Sequence, residues 1–102
     1  MINQIFPETL KILSDLIKFK TVTGTSNLDL IKYCEKKLDE VGATSSKTFN
    51  ESNSQANLFS TINGKDNLNG KGIILSGHTD VVPAVTDEWT SDPYIALSLI
   101  HI

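Results

Sequence analysis

Gly72-Ile73-Ile74-Leu75-Ser76-Gly77 is a short, almost continuously apolar run that follows a dense turn segment, Asn63 to Gly70. A run of this length without polar alternation reads as a strand buried on both faces, which needs layers above and below it. Working outward, Ala56-Asn57-Leu58-Phe59-Ser60-Thr61-Ile62 alternates, with Leu58, Ser60 and Ile62 on one side and Phe59 on the other, and predicts a strand. Residues 43–49 predict a polar edge strand, with a loop from Asn50 to Gln55 between the two.

Upstream the period lengthens to that of helices. Leu10, Leu13 and Ile17, widened by Ile12, Leu16 and Phe19, predict a first helix that opens at Pro7-Glu8 and ends at Lys20. Leu28, Ile31, Cys34, Leu38 and Val41 form the apolar stripe of a second helix. Lys32, Glu35, Lys36, Asp39 and Glu40 turn to water. Ser26 with Asp29 suggests a capping box before that helix, and Gly42 stands at its C-cap position. Thr21 to Thr25 reads as an extended, turn-prone connector. Helix, helix, strand, strand, buried strand predicts an α/β domain, a mixed sheet flanked by helices.

Composition narrows the possible functions. The chain has 102 residues, 39% hydrophobic and 21% charged, with a formal net charge of −3, as expected for a globular domain with no basic field for nucleic acid or anionic lipid. No apolar run approaches the ~20 residues that span a bilayer, and no signal peptide pattern opens the chain. Cytoplasm is the expected location. Cys34 is the only cysteine, so no internal disulfide forms. Its charged neighbours and the lack of a nearby histidine favour packing over nucleophilic chemistry.

In open α/β sheets ligand sites form beyond the carboxyl ends of strands, and the residue that emerges from the buried run is His78. Two readings of His78-Thr79-Asp80 stay open on the residues alone. The plainer is a loop histidine with Asp80 as a turn or cap residue. The sharper is a metal site: imidazole is a common zinc ligand, and a carboxylate two residues on can accept its other ring N–H and fix the tautomer.

The run Leu75 to Pro83, followed by Glu88-Trp89-Thr90-Ser91-Asp92-Pro93-Tyr94, resembles the zinc aminoacylase and deacetylase family of metallopeptidases. The resemblance extends over roughly residues 7–95. It implies that residues 1–96 are the N-terminal part of a zinc-peptidase-like catalytic domain. In that family the position of His78 ligates one zinc of a two-metal centre, where cobalt can substitute, and the position of Asp80 is the carboxylate that orients the histidine. Pro83 and Trp89 match positions that shape the loop and cover the sheet edge. For Trp89 a packing role in the core is the simpler expectation, and Asp92 before Pro93 is equally a turn former. The resemblance further implies amide hydrolysis of a small N-acyl amino acid, with a homodimeric parent and neither nucleic-acid nor membrane partners.

Within the family, Trp89-Thr90-Ser91-Asp92-Pro93 looks most like acetylornithine deacetylase, which implies a place in arginine biosynthesis. A succinyl-diaminopimelate desuccinylase, an aminoacylase or peptidase of the same family, and a non-catalytic truncated relative are the alternatives. The chain departs from the family after Tyr94. Family members are several times longer, and their general base and remaining ligands follow the motif; Asp87 and Glu88 come too soon to be assigned to them. Leu97-Ser98-Leu99-Ile100-His101-Ile102 is the direct translation of CTGTCTCTTATACACATC, which resembles a transposase adapter used in sequencing libraries. Residues 97–102 are therefore expected to be non-native, His101 is not a candidate ligand, and the chain by itself is expected to be inactive.

Overall fold

The second helix is the element on which both strands and the C-terminal end of the first helix pack. The computed structural model describes residues 2–65 and 70–97, with side chains from Phe6 onward. Helix α1 spans Ile2–Ile17, α2 spans Leu28–Glu40, strand β1 spans Thr44–Phe49 and β2 spans Ala56–Thr61. The strands form an antiparallel pair, Thr44 opposite Thr61 and Phe49 opposite Ala56, and α2 lies across both. This is a small α/β arrangement, as the sequence pattern predicts. Among the described residues its parallel component is one bridge, Val22 with Val81.

Among the described residues the core is Leu30, Ile31 and Ala56, with Leu16, Phe19, Leu28, Cys34 and Leu58 packed around them. Leu30 was not on the predicted stripe, and Val41, which was, is 64% exposed. The reason is geometric. The core-facing row is 27, 30, 31, 34 and 38, and Val41 is the C-cap, where the backbone has left the helix. Gly42 has φ of +82°; its N–H bonds the Asp39 carbonyl and that of Ala43 the Leu38 carbonyl. That pair of bonds is the Schellman stop which the glycine predicts. At the other end no capping box forms. Asn27 is the N-cap without capping through its side chain, and the Ser26 hydroxyl accepts only the Leu28 N–H.

Helix α1 begins five residues before Pro7, which therefore lies inside it. It also ends before Lys20: Lys18 and Phe19 bond back to the Asp15 and Leu16 carbonyls in a tighter terminal turn. Its C-terminal end joins the core, while Leu10 and Leu13 stay about half exposed. Asp15 holds that end to α2, accepting from Lys11 Nζ at 2.7 Å and from the Tyr33 hydroxyl at 2.9 Å. The bond from Lys11, then that from Tyr33, hold the Asp15 carboxyl below its usual range. A depressed native value means that stability is present above the ordinary carboxylate range and lost as pH falls through the native one. Acidification from pH ~5 to ~2 is expected to lower the melting temperature, with a shallower decline in Asp15→Asn; thermal melts across that range check it, and identical slopes would contradict it.

The predicted buried strand does not form. Residues 72–77 carry no strand assignment, and Ile73, Ile74 and Leu75 are 83–92% exposed. A doubly buried strand needs partners on its edges and layers on its faces. Among the described residues the only strands are β1 and β2, and they pair with each other. No helix among the described residues is long and apolar enough to cross a membrane. Residues 66–69 of the turn segment and 98–102 of the tail read as non-native lie outside the described residues.

Candidate functional site

His78 reaches the folded body through the residues that follow it. Val81 N–H bonds the Thr21 carbonyl and Thr23 N–H bonds the Val81 carbonyl, both at 3.0 Å, the one parallel bridge among the described residues. The Thr21 side chain, 6% exposed, turns inward and donates to the Thr79 carbonyl. Asn27 closes the other side. Its amide donates to the Ala56 carbonyl at 2.9 Å and to the Thr79 hydroxyl at 3.2 Å, and its carbonyl accepts the Ala56 N–H at 2.9 Å. Thr79 is thus gripped from both sides while His78 and Asp80, its neighbours, project outward.

Those two side chains meet. His78 Nδ1 lies 2.8 Å from Asp80 Oδ1 and 3.0 Å from the Asp80 carbonyl oxygen. Both partners only accept, so Nδ1 carries a proton, and in the neutral ring the lone pair is then on Nε2. The second carboxylate oxygen of Asp80 accepts the Thr23 hydroxyl at 2.8 Å. The bonds from Thr23, then from His78, hold the Asp80 carboxyl below its usual value. The His78 side chain is 85% exposed, so Nε2 is open to a ligand.

A single imidazole with an oriented tautomer fits one position of a metal centre and its supporting carboxylate. Among the described residues no group of three or more His, Cys, Asp or Glu is placed to hold an ion. Among the described residues no closed coordination shell surrounds His78.

Two clefts flank the pair, and His78 lines both. One, about 630 Å³, is walled by Phe19, Leu30 and Cys34 on one side and by Pro83, Trp89 and Tyr94 on the other. The other, about 950 Å³, is more polar, with Thr23, Asn27, Asn50 and Gln55 in its wall. Both volumes are of the size that takes small molecules. Burial raises the Cys34 thiol pKa, so it stays protonated, as a packing residue should.

Trp89 is not a core residue. It is 54% exposed, because its segment is held by a single 3₁₀ turn, Thr86–Glu88, and by contacts at the exit of α1. Lys20 Nζ sits 5.1 Å from the Tyr94 ring centre. Asp92 does form a turn, its carboxylate accepting the Tyr94 N–H at 2.9 Å. Thr21, Thr23 and Asn27 were not singled out by sequence. The polar-apolar-polar alternation of Thr21-Val22-Thr23 is the signal of a short extended segment; nothing local marks Asn27.

Comparison with curated proteins finds a succinyl-diaminopimelate desuccinylase from Polynucleobacter necessarius subsp. necessarius (strain STIR1). The similarity is to a hydrolase. It amounts to 37% identity over 91 residues, covering 84% of this chain and 23% of that protein. The chain thus spans about a quarter of the length of the relative it matches. That relative carries the name of the expected alternative and not of acetylornithine deacetylase. No protein-family model matches the chain, and no solved structure does.

Proposed function

We propose that this chain is the N-terminal portion of a metal-dependent amidohydrolase that removes the acyl group from an N-acylated amino acid. The observation that carries the reading is the His78–Asp80 pair, with Nδ1 committed to a carboxylate and Nε2 free. His78 holds a metal through Nε2. Asp80 fixes the tautomer and orients the ring. Zinc, or cobalt in its place, lowers the pKa of a bound water toward ~7 and polarises the acyl carbonyl when present. The apolar cleft on one flank of His78 and the more polar groove on the other are each large enough to seat part of a small substrate.

The identity with the desuccinylase supports a succinylated diamino acid as substrate. Trp89-Thr90-Ser91-Asp92-Pro93 favours the second reading, deacetylation of N-acetylornithine. Assaying the product of the complete gene against both compounds decides between them, and hydrolysis of neither would refute the proposal. The 102-residue chain by itself is inactive in this reading, since one imidazole does not retain a catalytic metal.

Asp80→Ala frees the imidazole from its carboxylate. In the complete enzyme it is expected to weaken metal binding or turnover by roughly 10–100-fold, the usual cost of losing an orienting carboxylate. Metal content after dialysis and the rate of acyl release measure it. A variant with full zinc content and unchanged rate would exclude the assigned role.

A further inference from the structure

We infer that Thr23 is a positioning residue for the His78–Asp80 pair, fixing the carboxylate that in turn fixes the imidazole tautomer. The inference deepens the proposed function and rests on it for its importance. Its geometry stands independently.

A carboxylate with one partner swings about its Cβ–Cγ bond and takes the imidazole with it. Asp80 has a partner on each oxygen: His78 Nδ1 on Oδ1 and the Thr23 hydroxyl on Oδ2, both at 2.8 Å. The hydroxyl has one proton to give. Its other neighbour, the Val81 carbonyl, is at 3.4 Å, so the carboxylate receives that proton. Thr23 is itself held, because its backbone N–H bonds the Val81 carbonyl at 3.0 Å. The relay therefore runs from the Val22–Val81 bridge through a hydroxyl and a carboxylate to the ring, and every link before the ring is anchored to backbone. Val81 is the residue after Asp80, so the anchor and the group it orients move together.

The test reads the tautomer of His78 in the metal-free 102-residue chain, from the ¹⁵N shifts of its ring nitrogens, assigned by comparison with His78→Gln. The wild-type chain is expected to show Nδ1–H. Thr23→Val, which keeps the shape and loses the donor, is expected to give a mixture of tautomers with the amide spectrum otherwise retained, and Thr23→Ser to restore Nδ1–H. Thr23→Ala, read in the same way, serves if the valine variant does not fold. A tautomer unchanged by loss of the hydroxyl overturns the inference, as does equal loss in the valine and serine variants. The metal content of the complete enzyme separates the two readings. Full zinc content in its His78→Ala variant counts against the metal proposal and leaves the role of Thr23 standing.

Discussion

Replacing His78 by alanine in the complete enzyme is expected to empty one metal position and to reduce acyl release by more than the roughly 10–100-fold ascribed to loss of an orienting carboxylate. The asymmetry follows from where each residue stands. Without Asp80, the imidazole keeps its lone pair and loses only its preferred orientation. Without His78, the ligating atom is gone, and the described residues offer no third donor to replace it. Measured together, metal content and turnover should fall in the order wild type, Asp80→Ala, His78→Ala. His78→Ala with both metals bound and wild-type turnover would remove the ligand assignment.

The largest effect on stability is expected from Ile31→Ala. Ile31 is 4% exposed and, among the described residues, shares the core with only Leu30 and Ala56. Truncating a buried isoleucine costs about 2–5 kcal/mol, against a total of about 5–15 kcal/mol for ordinary domains. With three described residues in the core, little reserve is expected. At roughly 4–8 °C per kcal/mol for a domain of this size, the melting temperature should fall by at least about 8 °C. Ile74→Ala is the matched control: Ile74 is 83% exposed, and its loss should stay within about 0.5 kcal/mol. The two variants rank oppositely if the 72–77 run, and not the face of α2, carries the core. Thermal or denaturant unfolding distinguishes these outcomes directly.

That contrast marks how far the sequence was legible. Amphipathic period, a glycine stop and strand alternation located α2, β1 and β2 nearly to the residue, because each depends on neighbours a few positions away. The run Gly72 to Gly77 misled for the opposite reason. Its composition records an environment that other strands and helices must provide, and a pattern states the need without supplying the partners. Asp80 beside His78 was legible because two residues across a bend suffice to bring a carboxylate to a ring nitrogen. Thr21, Thr23 and Asn27 were not, since their partners at Ala56 and Thr79 to Val81 lie 29 to 58 positions away. Trp89 illustrates the same limit: a large aromatic suggested core, but only a short turn and one edge of a cleft hold it.

The Val22–Val81 bridge has a consequence for the order in which structure is gained and lost. Joining these residues closes a loop roughly ten times longer than the Asn50–Gln55 turn of the hairpin, an extra entropic cost of about 2 kcal/mol at (3/2)RT ln n. The hairpin and α2 can assemble from near neighbours, whereas the seat of His78 waits for two distant stretches to meet. The same seat is therefore expected to open before α2 and the hairpin when the molecule fluctuates. Amide hydrogens of Thr23 and Val81 should exchange with solvent sooner than those within α2, and the fastening of the histidine should loosen while the helix beneath it is still intact.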